Sequence, residues 1–185
     1  MKLLTNRRLA TGVLAVCVFG SVFGLGGNCL NQERKKAQNV FEVGTDTSFA
    51  TTLSVSAYLT NSAAYARTML EEYKLRTGSA WENQDQMQTA MENIVLGTPS
   101  ERLDDYQALV ADVESLYTDF HLNVTEDALA TDFDKAYKGF KSENNKIGYD
   151  EYHQLARAFN EDAEGFPAGL VAGLWHLTEL DPFDV

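Results

Sequence analysis

The feature that most limits what this chain can become is a stretch without charge near its start. From Leu9 to Gly27 there is no Asp, Glu, Lys or Arg, while Lys2, Arg7 and Arg8 stand in front of it. The run holds Val13, Leu14, Val16, Val18, Phe19, Val22, Phe23 and Leu25. Its 19 residues, wound as a helix, reach roughly 28 Å, close to the ~30 Å hydrocarbon thickness of a bilayer. Signal peptides carry shorter apolar stretches of ~7–15 residues and small residues at the cleavage point. Gly24, Gly26 and Gly27 keep a cleaved signal open, and Cys29 keeps lipid attachment open. Asn28 and the placing of Leu25 fit a lipid-attachment box poorly. Length favours a retained single-pass anchor over residues 9–28, behind a basic tail at 1–8. Gly20 and Gly24 form a G-x-x-x-G spacing, so a homo-oligomer of anchors stays open.

Charge separates the remainder from the start. The chain has 185 residues and a net charge of −12, yet its first 36 residues carry six basic side chains against Glu33 alone. Everything after them therefore carries −17. Such a domain repels phosphate backbones, which argues against nucleic-acid binding. Three basic residues and the amino group precede the apolar run, and Arg34, Lys35 and Lys36 follow it. The balance favours an internal amino terminus, with the acidic domain outside the cell membrane. Residues 29–44 read as a basic juxtamembrane linker helix, and 45–185 as the acidic domain.

That domain has helical periodicity throughout. Between Thr45 and Lys74 the stripe Leu59, Ala63, Ala66, Leu70, Tyr73 steps by three and four, and Gly78 is a natural stop. Glu82 to Leu96 predicts a short helix burying Met87, Met91, Ile94 and Val95, ended by Gly97. Thr98-Pro99-Ser100-Glu101 has the form of a capping box with proline at the first helical position. Behind it Leu103, Tyr106, Val110, Val113, Tyr117 and Phe120 make a coiled-coil-like heptad seam. Asp104, Asp105, Asp112 and Glu114 fall off that seam, and with Asp132 and Asp134 they read as solvated faces. Thr125-Glu126-Asp127 predicts the next helix start, with Leu129, Phe133, Ala136 and Phe140 as its stripe. A polar turn from Ser142 to Lys146 precedes a helix facing Tyr152, Leu155, Ala156, Phe159 and Ala163 inward. The expected fold is all-α: one transmembrane helix, then an antiparallel up-and-down bundle of about four helices.

No set of residues makes a catalytic site. His121, His153 and His176 lie far apart, no nucleophile–base motif or phosphate loop occurs, and both cysteines precede the acidic domain. No cofactor or metal is expected. One alternative comes from Lys146-Ile147-Gly148-Tyr149-Asp150-Glu151-Tyr152, similar to the second half of an EF-hand loop. It would make residues 140–152 a calcium-responsive turn with Glu143, Asp150 and Glu151 as ligands, although Phe140 stands where an acidic first ligand belongs. Asp150 and His153 otherwise read as a surface pair. The aromatics from Tyr106 to Phe159, Tyr149 included, read as core. Asn144, Asn145 and Asn160 fit either buried hydrogen-bonding positions or surface ones.

The carboxyl end carries a resemblance. Phe159-Asn160, the segment Gly165-Phe166-Pro167-Ala168-Gly169-Leu170-Val171-Ala172-Gly173-Leu174-Trp175-His176-Leu177, and Asp181-Pro182-Phe183-Asp184 resemble the closing segment of the LemA family. The paired tyrosine–asparagine motif of that family maps to Tyr152-His153 and Phe159-Asn160, and Glu143-Asn144-Asn145-Lys146-Ile147 is similar to its Glu-Asn-Arg-Ile element. The family's Arg-Arg pair and Asp-Leu-Ile-Pro-Asn-Leu-Val run have no counterpart here. The resemblance implies a membrane-tethered helical bundle and supplies no catalytic residues. Together these readings predict a non-enzymatic scaffold that presents an acidic surface to a protein partner, with Leu170, Val171, Leu174, Trp175 and Phe183 as candidate contacts.

Overall fold

The computed structural model describes residues 7–47, 50–51, 53–97, 99–124 and 131–182, and among these seven helices account for nearly everything. In chain order they are α1 (Arg7–Val43), α2 (Val55–Thr77), α3 (Gln84–Leu96), α4 (Pro99–Asn123), α5 (Thr131–Gly148), α6 (Glu151–Glu164) and α7 (Ala168–Leu174). A two-residue antiparallel pairing, Asp46 with Thr51 and Thr47 with Ala50, separates α1 from α2. The chain divides into two compact units. One takes in the chain up to Gln38 together with Gln154–Leu180; the other takes in Asn39–His153 and the chain from Asp181 onward.

The second unit is a four-helix bundle of α2 to α5, and its side-chain pairs define its directions. From α2 to α5, Tyr58 meets Lys146, Asn61 meets Glu143, and Tyr65 lies over Gly139. One number climbs as the other falls, so these helices run antiparallel. The same holds from α4 to α5, where Tyr106 meets Asn144, Glu114 meets Lys141, and Phe120 meets Phe133. From α2 to α4 both numbers climb, Ser56 with Arg102 and Tyr73 with Asp119, so those two are parallel. Helix α3 makes the return between them and packs on both. The core holds Leu59, Met69, Met87, Ile94, Tyr106, Phe120, Phe133 and Phe140, all fully buried.

Local chemistry explains the boundaries. Ser54 has extended backbone and its Oγ accepts the Ala57 N–H at 3.1 Å, an N-cap that starts α2 at Val55 rather than near Thr45. Gly78 ends that helix in the left-handed conformation at φ 74°, its N–H donating to the Lys74 carbonyl at 3.0 Å. Replacing the cap, Ser54→Ala, is expected to cost about 1 kcal/mol of bundle stability by chemical denaturation, because one helix-end N–H loses its acceptor. All five residues of the predicted α2 stripe are buried. Helix α4 begins at Pro99 as the capping signal predicted; Thr98 lies outside the described residues, as do Thr125-Glu126-Asp127 and Leu129.

Several expectations fail, the first because polar groups find partners inside. The predicted turn at Ser142 to Lys146 is helix, α5 continuing to Gly148. Glu143 is buried there, accepting from Lys146 Nζ and, at 3.2 Å, from Asn61 Nδ2, while Asn144 accepts the Tyr106 hydroxyl at 3.0 Å. Of the two other asparagines, Asn145 is exposed and Asn160 is bonded. On α4, Leu109 and Leu116 are buried whereas Leu103, Val110 and Tyr117 are only half-buried, so the helix buries a face wider than a heptad seam. Val95 points out of α3, and Tyr149 is 91% exposed at the α5–α6 turn rather than in the core.

Asp112 is the costliest departure. It is buried on α4, its Oδ2 has no hydrogen-bond partner among the described residues, and burial pushes its carboxyl above the ordinary aspartate value. The folded chain therefore holds this proton more tightly than the unfolded chain, so protonation favours the fold. Asp112→Asn is expected to raise stability at neutral pH by on the order of 1 kcal/mol, since no ionised group then needs desolvating. That gain shrinks as pH falls through the raised carboxyl value and is gone below the ordinary aspartate range, which denaturation curves at several pH values would display.

Candidate functional site

Two constellations deserve comparison with the predicted sites. The first lies in the bundle, around the candidate calcium turn. Residues 140–148 are helical, so the irregular loop that a calcium hand requires is not formed there. Glu143 is committed to Lys146 and Asn61, and the bond to Glu143 holds the Lys146 ammonium above its usual pKa. Asp150 Oδ1 accepts the Tyr152 N–H at 2.9 Å, capping α6, and Glu151 is exposed on its first turn. Among the described residues no three His, Cys, Asp or Glu side chains gather as a metal site. His153 is buried rather than paired with Asp150 at the surface: its Nε2 donates to the Ile147 carbonyl, and its Nδ1 has no partner among the described residues.

The bundle's polar interior is structural. Arg102 is buried beside Phe41, its guanidinium 5.6 Å from the ring centroid, and it donates to the Gly97 carbonyl at 2.6 Å and to Ser56 Oγ at 3.0 Å. Glu42 lies 3.5 Å away. Tyr73 donates to Asp119 at 2.6 Å, and that bond, with burial, pushes its phenol up to about 12. Tyr137 donates to Glu114 at 2.8 Å; burial and that bond push it up to about 12 as well. Phenols held protonated in this way tie helices together and have no proton to give near neutral pH. At the α3–α4 elbow a shallow cleft of 340 Å³ is lined by Asn93, Leu96, Gly97, Glu101 and Asp105, with Leu96 83% exposed and Asp104 exposed on α4. Two carboxylates, Glu101 and Asp105, thus share a cleft with an exposed leucine, and no periodicity signal marked it beforehand.

The second constellation is in the other unit, where α7 and the tail lie on α1. Trp175 Nε1 donates to the Phe23 carbonyl at 3.0 Å. Its indole sits directly over Gly27, where an added Cβ would come within 2.1 Å of Nε1. Glycine at 27 is thus the seat of this ring and cannot be exchanged for alanine without displacing it. Arg34 donates to the Thr178 carbonyl at 3.1 Å and its hydroxyl at 2.9 Å. Asn160 brackets Leu180 from α6, donating to its carbonyl at 2.7 Å and accepting its N–H at 2.9 Å. The end of α7 is a Schellman turn: His176 takes the left-handed position at φ 52°, and the Leu177 N–H reaches the Ala172 carbonyl at 2.9 Å. A cleft of 290 Å³ runs between these pieces, with Val22, Cys29, Leu30, Glu33, Asp162 and Val171 in its wall.

The predicted contact residues divide accordingly. Val171 is buried within this unit. Leu170, Leu174 and Trp175 are 57%, 66% and 41% exposed, and Phe183 lies outside the described residues. Phe166, not among the predicted contacts, is 88% exposed. Comparison with models of protein families, with curated proteins and with solved structures gives no match to this chain.

Proposed function

We propose that the protein is a membrane-tethered helical-bundle scaffold of LemA-like type that presents an acidic surface to a protein partner. One observation carries the reading: α1 is long and apolar enough to cross a membrane, and Val13, Leu14, Val16, Val18, Phe19 and Leu25 are each more than half exposed on it. Side chains of that kind, contiguous along four turns, are costly in water and ordinary in hydrocarbon. Within the second unit, Phe41 and Glu42 at the end of α1 meet Tyr152 of α6 and Arg102 of α4. The basic residues flanking the apolar run favour an internal amino terminus and an extracytoplasmic bundle at the cell membrane.

The partner-facing surface in this reading is the acidic elbow around Leu96, Asp104 and Asp105. Crosslinking full-length protein in native membranes, beside Asp104→Lys with Asp105→Lys, tests it. The expected result is a discrete basic partner whose capture weakens with salt and is lost in the charge-reversed variant. Failure to capture any partner with either protein would sink the scaffold role.

A further inference from the structure

We propose that α7 is an interfacial membrane element, its outer apolar ridge seated in lipid at the hydrocarbon–headgroup boundary. The inference rests on the membrane-tether reading and assigns the occupant of a surface that reading leaves bare. Leu170 and Leu174, four residues apart on α7, share one face and are both more than half exposed, and Phe166 in the turn before the helix is exposed as well. Val171 and Ala172 on the other side are buried. From Gly165 to Leu177 the chain has no Asp, Glu, Lys or Arg. A segment apolar on both its inner and outer faces has a second apolar phase to meet.

The identity of that phase follows from where α7 sits. Its anchor, Trp175, is bonded to the Phe23 carbonyl and lies on Gly27, at the end of the apolar run of α1 and just before the polar Asn28. Leu25, exposed on α1, lies within one helical turn of both Phe23 and Gly27, the residues Trp175 touches. The run itself matches the thickness of the hydrocarbon core, so Gly27 falls at its edge. Lys35 and Lys36 stand about 12–14 Å further along α1, at headgroup depth and beyond. Trp175 thereby occupies the level at which tryptophan concentrates in membrane proteins, its ring toward the acyl chains and its N–H satisfied. The ridge of α7 extends that level sideways, as an interfacial helix does.

The test uses full-length protein with Trp81→Phe, which leaves Trp175 as the sole tryptophan, reconstituted into phosphatidylcholine vesicles carrying bromine at a shallow or a deep acyl position. Trp175 emission is expected to fall at least twofold with bromolipid, more for the shallow bromine than the deep one, and to resist aqueous acrylamide. In the same background, Leu170→Asp with Leu174→Asp is expected to halve the bromolipid quenching without loss of helicity. A companion protein with Phe19→Trp, Trp81→Phe and Trp175→Phe reports on α1 alone. If that probe is quenched by deep bromine while Trp175 ignores bromolipid, the α7 assignment falls and the tether stands. Trp175 shielded from acrylamide yet insensitive to bromolipid would mean protein covers the ridge, and also overturns it. No quenching of either probe removes the tether reading itself.

Discussion

Phe120→Ala is expected to remove roughly 3–5 kcal/mol from the stability of the bundle, the range for deleting a buried aromatic ring. Phe120 is fully buried where α4 meets α2 and α5. Its ring stacks on Phe133 at 3.8 Å between centroids with planes 9° apart, and lies 6.2 Å from Tyr73. Truncation leaves a cavity bounded by three helices whose positions are held elsewhere by Tyr106–Asn144 and Asn61–Glu143, so collapse cannot fill it cheaply. Small domains have only about 5–15 kcal/mol in total, so the variant approaches its unfolding midpoint in mild denaturant. Phe120→Leu keeps most of the volume and is expected to lose a third of that or less. Urea titration followed by helicity measures both, and a loss below about 1 kcal/mol for the alanine variant would show that the ring is not part of the core.

The second large effect concerns α1. Val16 and Phe19 are 72% and 62% exposed near the middle of the apolar run. An arginine at the centre of a membrane helix costs about 2.5–3.5 kcal/mol, so Val16→Arg with Phe19→Arg opposes insertion by about 5–7 kcal/mol. At 1.4 kcal/mol per factor of ten, membrane partition is expected to fall by at least about a thousandfold. The bundle contains neither residue, so its cooperative unfolding is expected to persist. Pelleting of membranes after an alkaline wash gives the comparison: wild type in the pellet, the variant in the supernatant. A variant that stays in the pellet would argue against a spanning α1.

Much of this architecture was written locally. The stripe of α2, the stops at Gly78 and Gly97 and the start of α4 at Pro99 depend on side chains within four residues of one another, and those were legible. Where α2 starts was less legible, because Thr and Ser serve equally as helix surface, extended chain and cap, and only Ser54 is placed to accept the Ala57 N–H. The supposed turn at Ser142 to Lys146 looked like a loop because polarity was read as exposure. Glu143 reverses that, since a carboxylate met by Lys146 and Asn61 has partners in place of water. Tyr149 erred in the opposite sense: an aromatic counted as core, it lies on a two-residue connection where no packed face exists to receive it.

The candidate site was the least legible part. Leu170, Leu174 and Trp175 were singled out as apolar residues near the carboxyl end, but their meaning depends on residues at the other end of the chain. Trp175 and Phe23 are 152 positions apart, and Arg34 and Thr178 are 144 apart. A glycine in an apolar run reads the same whether it faces lipid, a cleavage enzyme or an indole, because absence of a side chain has no periodicity. The sequence by itself determined the apolar helix, the acidic helical domain and most helix stops, since hydrophobic spacing and end-capping are short-range properties. Only the tertiary structure decided that Arg102, Asp112, Glu143 and His153 are interior, and that Gly27 is the seat of Trp175. Burial of a polar group and close approach to a bare backbone are set by whichever distant segment arrives there, and that choice leaves no local mark.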